Sequence, residues 1–308
     1  MDDGNQGLAS LDGSKVVITG ANGMLGRAFA QVLATCAPKA EVLALGRDAL
    51  DVTQRDEVFA LAGERPDIVL HCAVKADVNW CEDHAEEAAQ VQVEGTAHVA
   101  ALAKACGARL FFPQSFLIYE GGALVDEGTD PNPLSAYGRL KFEAEKTLLS
   151  ILPDALVVRM GGFFGEQEAD KNFVGKLIPH LASLLRSGVD RMEIGDRIWQ
   201  PTYTRDLAYN SLLLLARRCT GAYCMASHGQ ASFFELGKEI TRLLGIDQRL
   251  EIARVPAQTM AGKEKAVRPE VLVMRNSRLQ AEGLDRQRPW QAALAEYLGQ
   301  GHFNALFA

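Results

Sequence analysis

Lys15-Val-Val-Ile-Thr-Gly20 is a β-branched apolar run that stops at a glycine, and Gly20-Ala-Asn-Gly23-Met-Leu-Gly26 leads straight into a helical pattern from Met24 to about Cys36. Apolar residues at consecutive positions fit a strand covered on both faces, as in a parallel sheet. A buried strand, a glycine turn and a helix in that order constrain the fold more than anything else in the chain. Glycines there permit a tight turn, let backbone N–H groups approach a pyrophosphate, and let the helix pack closely on the strand. The helix N-terminus adds its partial positive charge. The spacing is Gly-x-x-Gly-x-x-Gly rather than Gly-x-Gly-x-x-Gly. Gly20, Asn22, Gly23, Met24, Leu25 and Gly26 are therefore the candidates to hold a dinucleotide.

The rhythm then repeats. Glu41 to Leu45 reads as a second strand, ending in Gly46-Arg47-Asp48. Arg47 stands where it could pair with a 2′-phosphate, which favours NADP, while the neighbouring Asp48 keeps NAD open. Thr53 is placed to cap a second helix, with Asp56 and Glu57 in its first turn. Pro66-Asp-Ile-Val-Leu-His71-Cys-Ala73 is the third strand and its turn. Ligands of open parallel sheets bind beyond the carboxyl ends of strands, so Ala73, Val74 and Lys75 should border the cofactor. A long helix is expected from about His84 to Cys106, a fourth strand at Ala108 to Phe112, and a fifth at Ala155 to Arg159. Ser115 falls just past the fourth strand, on the same sheet edge as the glycine turn. This alternation predicts an α/β fold, a doubly wound parallel sheet of Rossmann type.

Ser135-Ala-Tyr137-Gly-Arg-Leu-Lys141 follows the helix-excluding run Asp130-Pro-Asn-Pro133 and opens a helix to about Ser150. Tyr137 and Lys141, four residues apart, share one helical face. A phenol with a free pKa of about 10 keeps its proton at neutral pH, and a nearby ammonium favours its anion. Such a pair can give or take a proton at a carbonyl or alcohol carbon. A Tyr-x-x-x-Lys alone is as readily a solvated helix face. Its weight comes from the strand, the glycine turn and the strand-end Ser115 upstream.

Beyond about Gly161 the alternation breaks. Helices are expected at Phe173 to Ser187, Asp206 to Arg218 and Phe233 to Leu244, with a short strand at Arg191 to Ile194. We read residues 15–160 as the dinucleotide-binding part, and 161–308 mainly as a smaller substrate lobe with segments that return to the first. Residues 1–14 are polar and acidic, lack the apolar core of a signal peptide, and are expected to be a disordered leader.

Composition narrows the function classes. Of 308 residues, 48% are hydrophobic and 23% charged, and the net charge of −7 comes without a concentrated basic face, which argues against a nucleic-acid partner. The longest aliphatic run, Leu212 to Leu215, is far too short to cross a bilayer, so no membrane role is expected. The six cysteines never form Cys-x-x-Cys, and the six histidines lack ligand spacing. These point to reduced core thiols, no protein-built metal site and a cytoplasmic location.

The chain resembles the extended short-chain dehydrogenase/reductase superfamily and, within it, the dTDP-4-dehydrorhamnose reductase family, from Val16 to about Leu298. The markers are Leu45-Gly-Arg-Asp-Ala-Leu-Asp-Val-Thr53, Arg65-Pro-Asp-Ile-Val69, Pro133-Leu-Ser-Ala-Tyr-Gly-Arg-Leu-Lys141, Pro201-Thr-Tyr-Thr-Arg-Asp-Leu-Ala208, Gly221-Ala-Tyr-Cys-Met-Ala226 and Arg268-Pro269. The resemblance implies Ser115, Tyr137 and Lys141 as catalytic residues: Tyr137 donates the proton, Lys141 holds the nicotinamide ribose and lowers the phenol pKa, and Ser115 polarises the carbonyl. It assigns Asp51 and Val52 to the cofactor beside Arg47, implies NADPH, with NAD left open, and implies a homodimer, since family members often pair through sheet-flanking helices. The substrate side departs from the family. Asp-Tyr after the catalytic hydroxyl becomes Phe116-Leu117, Arg-Thr-Ser-Trp becomes Arg159-Met160-Gly161-Gly162, Asn-Ala-Ala-Ala reads His71-Cys72-Ala73-Val74, and the helical Asn matches Gln92. Phe116, Leu117 and Gly162, with Gln200, are the substrate-side candidates, and their exchange should change the sugar accepted.

Three functions compete at this point. The first is an NADPH-dependent reductase of a keto-sugar, with a nucleotide sugar as the small-molecule partner. The second is a nucleotide-sugar epimerase that retains its cofactor. The third is a non-catalytic NADP-binding subunit resembling the methionine adenosyltransferase β subunit. Retention of Ser115, Tyr137 and Lys141 favours an enzyme, because a pure binder need not keep a proton relay.

Overall fold

A computed structural model describes residues 7–122, 124–261 and 264–307. Fourteen strands are found among them: β1 (Lys15–Thr19), β2 (Glu41–Leu45), β3 (Ile68–His71), β4 (Arg109–Ser115), β5 (Leu124–Val125), β6 (Leu156–Met160), β7 (Phe163–Phe164), β8 (Arg191–Gly195), β9 (Ile198–Trp199), β10 (Thr202–Tyr203), β11 (Gly221–Met225), β12 (Ala231–Ser232), β13 (Glu251–Val255) and β14 (Val273–Met274). Six of them form one sheet in the order β2-β1-β3-β4-β6-β11, every neighbouring pair parallel.

The chain moves outward from β1 to β2, then returns to place β3 on the other side of β1. That reversal makes the crevice between β1 and β3 a topological switch point, where doubly wound sheets bind ligands. The expected alternation is thus present, with two strands rather than three in the first half. Sheet faces follow the period-two rule. Val16 and Ile18 join Phe29, Phe111, Leu207 and Tyr223 in one core, whereas Val17 joins Val69, Leu110, Val157 and Leu148 in another. A third core, with Leu177, Trp199, Tyr203, Leu236 and Tyr297, is drawn from the chain after residue 163, which follows β6 at its carboxyl end.

Several boundaries differ from the sequence expectations for physical reasons. Leu8 and Leu11, inside the supposed disordered leader 1–14, are fully buried in the first core, because apolar burial outweighs the polar composition around them. Residues 1–6 of that leader lie outside the described residues. Thr53 does not cap the second helix: the helix Arg55–Ala60 starts after Gln54, and the Thr53 hydroxyl donates instead to Asp51 Oδ1 at 2.8 Å. Short polar side chains readily take such a local alternative. The helix expected from His84 to Cys106 is interrupted at Gln90–Glu94 by a π turn between Ala85–Ala89 and Gly95–Cys106. Strand β4 runs three residues past Phe112, which brings Ser115 into the sheet itself. The last strand, β11, comes from the C-terminal half and pairs with β6 from Gly221↔Leu156 to Met225↔Met160.

Candidate active site

Ser115 ends β4 and Tyr137 lies in the first turn of the helix Ala136–Ile151, so a strand end and a helix start must meet for the pair to form. Gly138 allows it. A Cβ there would collide with the Leu117 carbonyl oxygen and stand 2.9 Å from Pro133 Cβ, so only glycine lets the turn after Ser115 rest on the helix. Ser135 caps the helix by accepting from Gly138 N at 3.1 Å. The Ser115 hydroxyl accepts from Leu117 N at 3.1 Å and lies near enough to the Tyr137 phenol to lower its pKa.

Lys141 lies one turn further along the same helix. Its side chain is buried, with Nζ donating to the Pro113 carbonyl at 2.7 Å and lying 3.9 Å from the Phe112 ring centroid. Both contacts come from β4, so strand and helix hold the ammonium between them. Behind it lies a buried polar network that the sequence reading missed. Gln114 Nε2 donates to the Lys141 carbonyl at 2.9 Å and to Glu145 Oε2 at 2.7 Å, while Gln114 Oε1 accepts from Ser115 N at 2.8 Å. Arg159 on β6 donates to Glu145 Oε1 at 2.7 Å and to the Tyr119 hydroxyl at 2.9 Å. One amide side chain thereby fixes the backbone of two of the three catalytic candidates. The available signal was Glu145 itself, four residues past Lys141 and eight past Tyr137 on one helical face.

Burial dominates the ionisation of this cluster. It pushes the Tyr137 phenol up to about 12, against the hydrogen bond from Ser115, which lowers it, with Cys81 adding to the rise. Burial pulls the Lys141 ammonium down to about 7, with Glu145 and then Cys72 opposing the fall. The expected lowering of the phenol by Lys141 is therefore not what the geometry gives, because the ammonium turns to the Pro113 carbonyl and desolvation outweighs the remainder. Burial, then the Lys141 charge, lowers His71 to about 3. Its neutral ring bridges Thr19 Oγ1 at 2.8 Å and Thr96 Oγ1 at 3.1 Å, tying β1 to the helix behind β3.

The glycine turn is built as a cradle at the switch point. Gly20 has φ +64, and a Cβ on it would stand 2.6 Å from Ala73 N, so the turns after β1 and β3 touch through glycine alone. Ala73 N also donates to Thr19 Oγ1 at 3.2 Å. Gly23 is the N-cap of the helix Met24–Cys36, with no side chain closing its first amides, and Gly26 lies against Ala21 and the Gly20 carbonyl. An open helix N-terminus beside exposed Asn22 and Gly23 suits a pyrophosphate. Met24 and Leu25 are buried beneath it. The Asn22 amide packs on Gly46, which places Arg47 at the end of β2 next to the turn, exposed. Asp51 accepts from Thr53 N and its hydroxyl at 3.0 and 2.8 Å, and Val52 is buried, its carbonyl 3.0 Å from His98 Nδ1. Val74 is exposed on the rim, and the Lys75 ammonium lies 3.9 Å from the Trp80 ring centroid.

The substrate-side candidates divide. Phe116 packs against the buried cluster that includes Ile118, Tyr119 and Met274, and Leu117 forms the seat on Gly138. Gly162 lies under the Trp199 indole, which occupies the place of any Cβ. Gln200 is committed inward: its Oε1 accepts from Met274 N at 2.6 Å and its Nε2 donates to Met274 O at 3.0 Å, so it offers no free amide to a ligand. Gln92, at the family's helical Asn position, is buried in the π turn with neither amide atom bonded, and Trp199 Nε1 is likewise buried without a partner. An unpaired buried polar group costs about 1–3 kcal/mol, so each is a notable feature of the site.

Comparison with known proteins bears on this arrangement. Residues 14–302 match the family model described as the RmlD substrate binding domain. A dTDP-4-dehydrorhamnose reductase of Streptomyces griseus is 34% identical over 291 residues, covering 91% of each chain. A dTDP-4-keto-6-deoxy-D-glucose reductase of Streptomyces niveus is 30% identical, covering 91% of this chain and 95% of its own. The crystal structure of a dTDP-4-dehydrorhamnose reductase from Clostridium acetobutylicum superposes with a TM-score of 0.85 at 29% identity, covering 93% of this chain and 99% of that one.

Proposed function

The chain belongs to the RmlD substrate binding domain family, and from that premise we propose that it is an NADPH-dependent reductase of a dTDP-linked 4-keto-6-deoxy sugar. The observation that carries this reading is the approach of Ser115 at the end of β4 to Tyr137, with Lys141 one turn away, at the sheet edge that also bears the glycine cradle. The names of the relatives supply the substrate class, a 4-keto sugar on dTDP. In the same reading, residues 15–160 with β11 carry the dinucleotide, and the later segments close over the sugar.

The residues fit the cofactor at the N-terminus of the helix Met24–Cys36, where no side chain caps the first amides, and where Arg47 can meet a 2′-phosphate. When bound, the nicotinamide supplies a hydride to the carbonyl carbon. Tyr137 donates its proton to the carbonyl oxygen, so the ketone becomes a secondary alcohol and the phenol an anion. A phenol held to about 12 by burial is fully protonated at neutral pH and ready for that role. Ser115 aligns the phenol and offers its hydroxyl to the same oxygen as negative charge builds there. Lys141, held between Pro113 and Phe112 one turn along the helix from Tyr137, supplies a cation that would reach the ribose.

The test is to incubate the protein with NADPH and a panel of dTDP-4-keto sugars and follow loss of the reduced nicotinamide absorbance. Stoichiometric oxidation with at least one member supports the reading. Tight NADPH binding with no member reduced would overturn it.

A further inference from the structure

Gly162 and Trp199 fit each other like a seat and its occupant. Met160, the end of β6, is in register with Ser115 on β4. Gly162 follows two residues later, which at no more than about 3.6 Å per residue and about 4.8 Å between strands keeps it within about 12 Å of that serine. The benzo edge of the Trp199 indole rests where a Gly162 side chain would begin, so no other residue fits at 162 while the indole stays. Trp199 arrives from β9 in the C-terminal half and is steadied by Phe233, ring centroids 5.0 Å apart. Its N–H is buried with no partner, whereas a buried tryptophan N–H ordinarily finds one. The family pattern that this chain resembles carries Trp at the position of Gly162. Here the small residue stands on the strand, and the large ring reaches the same place from the other side.

We propose that Trp199 is a specificity-determining residue of the sugar site. It forms the wall beside the catalytic edge, and its N–H is the donor that a sugar hydroxyl or ring oxygen satisfies. A pyranose presents an apolar face and polar edges, and an aromatic wall with one donor matches it. The inference rests on the reductase reading, and it assigns sugar discrimination to a residue that is neither catalytic nor in contact with the glycine cradle. If the indole were only filling the core shared with Phe233, shortening it would lower stability and leave discrimination unchanged.

The experiment compares wild type with Trp199→Phe and Gly162→Ala. It measures kcat and KM for each dTDP-4-keto sugar, the Kd for NADPH, the Kd for dTDP-glucose by calorimetry, and Tm. Trp199→Phe keeps an aromatic ring and deletes the donor. KM and the dTDP-glucose Kd should rise by about tenfold, with kcat and the NADPH Kd near wild type, the signature of lost substrate binding. Gly162→Ala displaces the ring toward the sugar and should raise KM without touching Trp199 chemically. A Trp199→Phe protein whose KM values and dTDP-glucose Kd all stay within about twofold of wild type overturns the proposal, even if Tm falls. Should wild type reduce no sugar while Trp199→Phe still weakens dTDP-glucose about tenfold, the reductase reading fails and the wall stands. If wild type neither reduces nor binds, both fail.

Discussion

Glu145 stands four residues after Lys141 on the buried face of one helix, and its carboxylate is gripped by Arg159 at 2.7 Å. The anion therefore acts on two cations, Arg159 and the proposed catalytic Lys141, and it is the largest influence opposing the burial that lowers Lys141.

Glu145→Gln should move the Lys141 pKa below its present value of about 7, because the anion that raises it is gone. In the proposed mechanism reduction uses the charged lysine, so the alkaline limb of kcat/KM should shift to lower pH, a displacement read directly from the pH–rate profile. The variant leaves Arg159 buried without its anion and should lose about 3–5 kcal/mol of stability by denaturant titration. An unmoved alkaline limb would show that Lys141 does not sense Glu145.

Tyr137→Phe removes the proton that the proposed mechanism transfers to the carbonyl oxygen. Turnover should fall by about 10²–10⁴, the range for general acid–base catalysis, while NADPH affinity measured by fluorescence titration is kept. Turnover at the wild-type level would exclude Tyr137 as the acid.

Arg47→Ser addresses cofactor choice. A charge-assisted hydrogen bond contributes about 1.5–3 kcal/mol, so loss of the 2′-phosphate partner should weaken NADPH by roughly 10- to 150-fold and leave NADH nearly unchanged. Equal effects on both cofactors would place the 2′-phosphate elsewhere.

His71 gives the acid limb of stability a definite sign. Its folded pKa of about 3 lies below the ordinary value of 6.5, so the unfolded chain binds the proton first. Its contribution is complete above 6.5 and is lost as pH falls toward 3, with a slope of up to about 1.4 kcal/mol per pH unit. His71→Gln, which keeps polar contacts to Thr19 and Thr96, should flatten that slope in urea titrations at pH 4 to 6. An unchanged slope would assign it to other groups.

What the sequence shows of this protein follows from what is local. The Lys15–Thr19 strand, the glycine turn and the Tyr137/Lys141 spacing are read within a few residues, and the structure places them as expected. Ser115 needed only one strand boundary to be right. Gln114 and Arg159 escaped because their roles depend on partners 27 to 31 and 14 residues away, and a buried Gln or Arg looks the same in sequence as an exposed one. Gln200 misled for the converse reason, since its polarity serves Met274 rather than a ligand. Leu8 and Leu11 were hidden by the polar residues around them.

Strand β11 carries a consequence for synthesis. It is the last strand of the sheet to be made, and it covers the β6 edge from Leu156 to Met160. During translation that edge stays bare from about Met160 until Met225 has emerged, roughly 3–13 s at about 5–20 residues per second. A bare, apolar parallel edge is a template for another nascent chain. Products terminated between residues 161 and 220 should therefore collect in inclusion bodies or on holdase chaperones, whereas the full polypeptide escapes by closing its own edge.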